Sequence, residues 1–202
     1  MNNFLVLDTS SKYLTVYAEK DGKRAVSHLE NCAASHSVVL MDEVDKVLKS
    51  LSLTPEGCDF FGAVTGPGSF TGIRIGVSTV KGMALACGKP LLAITVFDML
   101  AYNVEDENFI IAVDALHDHY YVAGYKKRGE CDLSPAYLSR EEIEALSRPV
   151  YGFEELPFAR YTRLSVKDCL PRAVEALKGN LCADIAALYV RKSQAEEAKS
   201  GS

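Results

Sequence analysis

The sequence lacks a long apolar run, a paired cysteine motif and an excess of positive charge. No apolar stretch approaches the roughly 18 residues that a membrane-spanning helix needs, so we expect no contact with a membrane. The six cysteines include no Cys-x-x-Cys pair, which argues against a zinc site or a disulfide framework. We therefore expect buried, reduced thiols and a cytoplasmic protein.

The charge balance bears on the partners of the chain. A net charge of −5 argues against direct binding of a nucleic-acid backbone, which requires a surface dense in Lys and Arg. Any contact with RNA is expected to be indirect. The N-terminus carries no basic region before its short apolar stretch, so it predicts a first β-strand and not a secretion signal.

The periodicity of the first half predicts a mixed α/β lobe. Three strand-like segments come first, and helices and strands then alternate. The predicted strands are 4–9, 13–19, 24–30, 59–65 and 90–94, and the predicted helices are 35–51, 71–87 and 96–103. Gly88 follows the second helix as its stop signal.

The second half repeats this pattern in a shorter form. Segments 108–115, 119–126 and 134–138 predict a second trio of strands, and Ser139 with Glu142 forms a capping-box signature. A strand at 150–153 and a helix at 171–178 follow. We therefore predict a first lobe at 1–104, a smaller second lobe at 105–193 and a polar, mobile tail at 194–202.

A glycine-rich turn between a strand and a helix, at 66–76, is the most informative segment. Converging backbone N–H groups and the helix dipole favour an anion there, and Ser69 or Thr71 could cap the helix. The glycine spacing differs from both the dinucleotide fingerprint and the phosphate-binding loop. Close packing through Gly72 and Gly76 explains the pattern equally well.

A second polar turn, Asp8-Thr9-Ser10-Ser11, follows the first strand. It could position a metal-bound water and a phosphate, or it could close a turn by side-chain to backbone hydrogen bonds. The sequence leaves both alternatives open.

The order of the motifs resembles the TsaB family of tRNA threonylcarbamoyladenosine biosynthesis proteins. The resemblance rests on Phe-Leu-Val-Leu-Asp-Thr-Ser at the first strand, His36-Ser37, the Gly66–Gly76 run, Lys81-Gly82, Val113-Asp114-Ala115 and Leu188-Tyr189-Val190-Arg191. It spans nearly the whole chain, although the second half matches in brief islands. Ala187 departs from the proline that members often carry.

The resemblance implies an α/β fold of two lobes, like that of actin, heat-shock ATPases and sugar kinases (the ASKHA fold). Each lobe would be a ribonuclease H-like mixed sheet with flanking helices. It also implies a degenerate nucleotide or phosphate site, with no cofactor beyond weakly bound adenine nucleotide. The implied site residues are Asp8, Thr9, Ser10, Gly66, Gly68, Ser69, Thr71, Gly72 and Asp114.

The resemblance extends to the catalytic relative TsaD, which holds a metal with a His-x-x-x-His pair. Val96 and Leu100 stand at the corresponding positions, and neither side chain donates a lone pair to a metal. His117 and His119 would share one face of a strand, but they lie elsewhere in the chain. We therefore expect no metal and no catalytic residue.

The helix at 35–51 carries an apolar arc wider than one core-facing stripe requires. The resemblance implies that this helix and the next one pair with a TsaD-like subunit, or with a second copy when that subunit is absent. Burial of the arc between its own sheet and a loop remains the alternative. The predicted interface residues are His36, Leu40, Val44, Val47, Leu48, Gly72, Arg74, Gly76 and Val80.

The function that this resemblance implies is that of a non-catalytic scaffold in the modification of the adenosine beside the tRNA anticodon. A TsaD-like catalytic subunit and a TsaE-like ATPase are the expected partners. Two rival functions share the fold class: a phosphotransferase, which would need a catalytic acid, and a metallopeptidase of the glycoprotease type, which would need a metal.

Overall fold

A computed structural model describes residues 3–33 and 35–190 of the chain. The tail predicted at 194–202, the end of the predicted second lobe and Arg191 of the last motif lie outside the described residues. Within the described part, no helix is long and apolar enough to cross a bilayer.

The first sheet has five strands in the order β3-β2-β1-β4-β5. Three antiparallel strands come first in the chain, and β4 and β5 then add in parallel on the other side of β1. The strands are β1 (Phe4–Asp8), β2 (Leu14–Lys20), β3 (Lys23–Leu29), β4 (Phe60–Val64) and β5 (Leu91–Ile94). Helices α1 (His36–Ser50) and α2 (Phe70–Cys87) pack on one face of this sheet.

The second sheet repeats the arrangement in the order β10-β9-β6-β7-β8. Its strands are β6 (Phe109–Asp114), β7 (His119–Lys127), β8 (Glu130–Ser139), β9 (Val150–Gly152) and β10 (Tyr161–Arg163). Here β6, β7 and β8 are antiparallel, and β9 and β10 are parallel to β6. The duplicated mixed sheet expected from the sequence is thereby confirmed.

Two helices, α3 (Val96–Ala101) and α5 (Val166–Leu177), lie between the sheets. One hydrophobic cluster contains side chains from both sheets and both helices, including Phe4 and Phe60 of the first sheet and Phe109 of the second. A second cluster joins α1 and α2 to the first sheet. Burial of large apolar side chains in these layers is the main force that holds the lobes together.

Helix α5 begins earlier than the sequence predicted. Pro171 was expected at its first turn, but it lies inside the helix, which starts at Val166. The lost backbone hydrogen bond of the proline is offset by burial of one apolar face at positions spaced three and four residues apart: Val166, Cys169, Leu170, Ala173 and Val174. Strand β10 was also missed, because three residues with mixed side chains give no periodic signal.

The capping signals predicted from the sequence are present. Ser139 and Glu142 form the reciprocal capping box at the start of α4 (Arg140–Ala145). Gly88 ends α2 in the left-handed conformation, with φ 65°.

The cysteines differ partly from expectation. All six are free; Cys32, Cys58 and Cys169 are buried as predicted. Cys131 is exposed, because it lies on β8 at the edge of the second sheet, and Cys87 and Cys182 are half-buried.

Residues 182–190, which we call the C-terminal strap, return from the second lobe to the first. Cys182 exchanges two backbone hydrogen bonds with Leu91 at the free edge of β5, each 2.9 Å long. The N–H of Leu188 donates to the carbonyl of Thr65 at 2.8 Å. The strap is therefore attached to the first lobe at both of its ends.

Candidate functional site

The turn after β1 is buried and held by local hydrogen bonds. Asp8 Oδ1 accepts from the backbone N–H of Ser10 at 2.9 Å and from the Ser10 hydroxyl at 2.6 Å. The other oxygen, Oδ2, is buried without a partner among the described residues. Burial raises the pKa of the Asp8 carboxyl above its usual range, and the two bonds from Ser10 oppose that shift.

The glycine-rich turn packs directly against the Asp8-Thr9-Ser10 turn. Ser69 N–H donates to Ser10 O at 2.7 Å, and the Thr9 hydroxyl donates to Gly72 O at 2.7 Å. A Cβ on Gly68 would overlap the carbonyl oxygen of Ser10, and one on Gly72 would overlap that of Thr9. These glycines permit the close approach of two backbones, which is the packing interpretation that the sequence had left open.

The other residues of the glycine-rich turn either cap α2, pack against the C-terminal strap or are exposed. Ser69 caps α2, since its side chain accepts from Gly72 N at 3.2 Å, whereas Thr71 is exposed and does not cap. Gly66 adopts φ 107°, and the Leu188 carbonyl of the C-terminal strap lies close to where its Cβ would be. The strap therefore helps to fix the conformation of the glycine turn, a contact that no local sequence signal indicated.

Asp114 does not share contacts with these two turns. It ends β6 in the second sheet and is exposed. Its N–H donates to Glu154 Oε2 at 3.1 Å, and its Oδ1 accepts from Leu116 N at 2.9 Å. Burial raises the pKa of Glu154 above its usual range. The structure thus brings eight of the nine predicted nucleotide-site residues together in two contacting turns and places Asp114 apart from them. Asp8, Thr9, Ser10, Gly66 and Gly72 are buried there, whereas Gly68, Ser69 and Thr71 are exposed.

Most of the residues predicted to contact a partner are instead buried within this chain. The side chains of α1 and α2 that were assigned to a partner surface face their own sheet, and Gly72 and Gly76 face Thr9. The buried residues are His36, Leu40, Val44, Val47, Leu48, Gly72, Gly76 and Val80. Of the predicted set, Arg74 alone is exposed. The error arose because an apolar arc identifies the hydrophobic positions of a helix but not which of them its own sheet covers.

The same two helices expose apolar side chains that lie outside the predicted interface set. Val38 and Met41 of α1 are 75% and 53% exposed, and Leu85 of α2 is 86% exposed. Small residues, Ser78, Gly82 and Ala86, lie exposed along α2 near Leu85. The wide arc of α1 therefore combines a core-facing stripe with an uncovered edge.

The positions that correspond to the metal-binding pair of TsaD lie in the core. Val96 and Leu100 are fully buried in α3 among the side chains between the sheets. These residues do not fit a metal, because neither offers a lone pair. Over the described residues, no cluster of three or more His, Cys, Asp or Glu side chains has a metal-binding arrangement.

Contrary to expectation, His117 and His119 do not lie on one strand. His117 lies in a left-handed turn with φ 55°, and β7 begins only at His119. The Nδ1 of His119 lies 2.8 Å from the carbonyl of His117, and its ring stacks on Tyr137. The two rings therefore do not share a strand face.

Two mixed sheets of the same topology, each with a polar turn after its first strand, define a two-lobed α/β protein of the ASKHA class. The profile of the family described as TsaD, tRNA N6-adenosine threonylcarbamoyltransferase, matches residues 29–160, more than half of the chain. The chain belongs to this family.

Relatives with curated names narrow the assignment to the TsaB group, as the sequence motifs predicted. The chain is 27% identical to the tRNA threonylcarbamoyladenosine biosynthesis protein TsaB of Escherichia coli over 75% of its own length and 65% of that protein. It is 28% identical to the TsaB of Buchnera aphidicola over 60% of its length and 59% of that protein. The matches thus span less than two thirds of these relatives.

A solved structure supports the same fold. YeaZ from Pseudomonas aeruginosa superimposes with a TM-score of 0.76 at 23% identity, covering 94% of this chain and all of that one. At this identity the likeness establishes the fold, which agrees with the two-lobed architecture.

Proposed function

We propose that the chain acts in tRNA N6-threonylcarbamoyladenosine biosynthesis as a non-catalytic partner of a transferase of the TsaD family. The names of its relatives support the pathway. The buried, apolar Val96 and Leu100 support the non-catalytic role, because the chain lacks metal ligands at these positions.

The observation that carries the scaffold role is the uncovered apolar edge of α1 and α2. Val38, Met41 and Leu85 are each more than half exposed, and large apolar side chains on adjacent helices commonly mark a protein interface. Gly82 has open space around its Cβ position, so a partner helix can approach α2 closely there.

The same edge would pair two copies of this chain when the transferase is absent.

A TsaE-like ATPase would complete the complex. The transferase would hold the tRNA, because the net charge of −5 gives this chain little affinity for a polyanion.

The decisive experiment combines the purified chain with its cognate transferase and measures co-purification and product on tRNA. We expect product only from the mixture. Val38→Arg and Met41→Arg should abolish pairing, because each places a charge in the apolar contact, while the monomer stays folded since both side chains are exposed.

Leu146→Arg serves as the matched control, because Leu146 is an exposed leucine at the end of α4 in the other lobe. It should pair normally. Intact pairing by both the Val38 and the Met41 variants would refute the scaffold role at this edge, and modification of tRNA by the isolated chain would refute the non-catalytic role.

A further inference from the structure

The outer edge of β3 has free hydrogen-bonding groups. β3 is the terminal strand of the first sheet and pairs on one side, with β2. The two-residue turn Asp21-Gly22 has positive φ at both residues, so hydrogen-bonded pairs with β2 fall at Lys23 and at every second residue after it. The backbone N–H and C=O groups of Val26 and His28 therefore point away from β2.

A groove follows this free edge. A cavity of about 610 Å³ is lined by every residue from Ala25 to Glu30. Its walls are Lys46, Val47 and Ser50 of α1 on one face of the sheet and Lys167 of α5 on the other. Six residues of an extended chain measure about 20 Å, so the groove has the length of a short β-strand.

The part of β3 that lines the groove lacks the usual protection of an edge strand. Edge strands that stay unpaired commonly carry lysine or proline. Lys23 and Arg24 lie at the hairpin end of β3, before the groove begins, whereas residues 25–29 are Ala-Val-Ser-His-Leu. Val26 is 38% exposed there. This edge is therefore chemically able to accept another strand.

Both walls of the groove are basic. The side chain of Lys46 is 70% exposed, and its Nζ lies 3.4 Å from Oε2 of the largely buried Glu43. Lys167 is exposed and forms no ion pair within the described part of the chain. Glu30 is the one acidic residue among those that line the cavity, and it lies beyond the end of β3. An acidic ligand therefore complements both walls.

We propose that the free edge of β3 binds an extended acidic segment of another protein, which adds to the first sheet as a further strand. Its backbone would pair with the outward groups of Val26 and His28. Successive side chains of a strand point to opposite faces, so two adjacent carboxylates would contact Lys46 on one face and Lys167 on the other.

The charges favour a foreign acidic segment over a second copy of this chain. Two β3 strands paired with each other would bring the lysines of both grooves together, and β3 itself offers no carboxylate to them. The site also does not include Val38, Met41 or Leu85. It therefore goes beyond the proposed pairing with the transferase and does not depend on it.

The test titrates the full-length chain with a synthetic peptide of about eight residues, in which threonine and valine alternate around two adjacent glutamates. NMR measures the hydrogen exchange of the backbone amides. We expect the peptide to slow exchange of the Val26 and His28 amides at least about ten-fold, because these N–H groups gain carbonyl partners. Binding should weaken as the salt concentration rises.

The lysine walls are tested by substitution. Lys46→Gln and Lys167→Gln should each weaken peptide binding about three-fold, and the double variant about ten-fold. Lys49→Gln is the matched control, because Lys49 lies three residues further along α1, pairs with Asp45 and does not line the groove. It should bind the peptide like the wild type.

A second peptide tests the alternation of faces. When one residue separates its two glutamates, both point to the same face of the added strand. This peptide should bind the wild type more weakly than the first one, and only one of the two lysine substitutions should weaken it further.

Val26→Pro tests the backbone contact. It removes an outward N–H and leaves the ladder with β2 intact, because that group does not bond to β2. The variant should lose peptide binding, and melting curves establish that it is folded.

Unchanged exchange of the Val26 and His28 amides in the presence of the peptide would overturn the proposal, and so would equal affinity for the two peptides. Protection of these amides in the free chain would overturn it as well. Protection with a doubled mass in light scattering would assign the edge to a second copy, and protection in a monomer would assign it to this chain's own residues. None of these outcomes bears on pairing with the transferase.

Discussion

Asp8 and Asp114 occupy equivalent positions in the two sheets and make the same local contact. Each ends the first strand of its sheet, and each Oδ1 accepts a hydrogen bond of 2.9 Å from the backbone N–H two residues later. Their surroundings differ, since Asp8 is buried under the glycine turn and Asp114 is exposed. Both sheets thus keep this turn, but its aspartate carboxylate is buried only in the first sheet.

Replacement of Asp8 by Asn should change the pH dependence of stability. The folded-state pKa of Asp8 is raised above its unfolded value of 3.8, so between these two values the folded state keeps a proton that the unfolded state has lost. Stability then falls as pH rises through this window, and the loss stays constant above it. Asp8→Asn removes this loss. We therefore expect the free energy of unfolding of the variant, relative to that of the wild type, to rise from pH 4 to pH 7.

Urea unfolding at a series of pH values checks this prediction. Ser10→Ala removes the hydroxyl that donates to Oδ1 and should have the opposite effect, a larger destabilisation at pH 7 than at pH 4, because that donor favours the charged carboxylate. An Asp8→Asn advantage that is flat or shrinks with pH would contradict the assignment.

Gly72 and Gly82, both in α2, should respond in opposite directions to alanine. A Cβ at Gly72 meets the carbonyl oxygen of Thr9, so Gly72→Ala should cost about 1–3 kcal/mol through overpacking. Gly82 has no atom within reach of a Cβ, so Gly82→Ala should stabilise α2 by about 0.5–1 kcal/mol. Thermal or urea unfolding of the two variants distinguishes packing at Gly72 from a general effect of helix propensity. Equal changes in the free energy of unfolding would contradict the packing role of Gly72.

Truncation of a buried and an exposed side chain of α1 should separate core from surface. Leu48 is 5% exposed and belongs to the cluster under α1, so Leu48→Ala should lower the free energy of unfolding by about 2–5 kcal/mol. Met41 is 53% exposed, and Met41→Ala should change it by less than about 0.5 kcal/mol. A large loss of stability in Met41→Ala would mean that this edge is structural.

Titration of the isolated chain with ATP should show no micromolar binding. The reason is the contact between the glycine turn and the turn after β1: the backbone of Thr9 and Ser10 fills the space beside Gly68 and Gly72, and the Ser69 N–H already donates to Ser10 O. Calorimetry measures this directly. Micromolar affinity accompanied by turnover would favour the phosphotransferase alternative.

The order of the elements was largely readable from the sequence, because β-strands and amphipathic helices leave periodic signals that depend on neighbours in the chain. The capping box at Ser139 and the helix stop at Gly88 are local in the same sense. The errors fell where the signal was short or contradictory, as in the three residues of β10 and the helical turn before Pro171.

The sequence by itself determined the two-lobed fold and the family. The period of its residues predicts a trio of strands twice, and the order of its motifs resembles the TsaB family. Only the tertiary structure decided that the glycines of the turn serve packing on Thr9 and Ser10, and that Val38 and Met41, not Val44 and Leu48, remain uncovered. The physical reason is that an apolar residue has the same local pattern whether its own sheet or a partner covers it. Likewise, the position of Arg74 depends on Tyr189, 115 residues away in the chain, and no local pattern can encode such a contact.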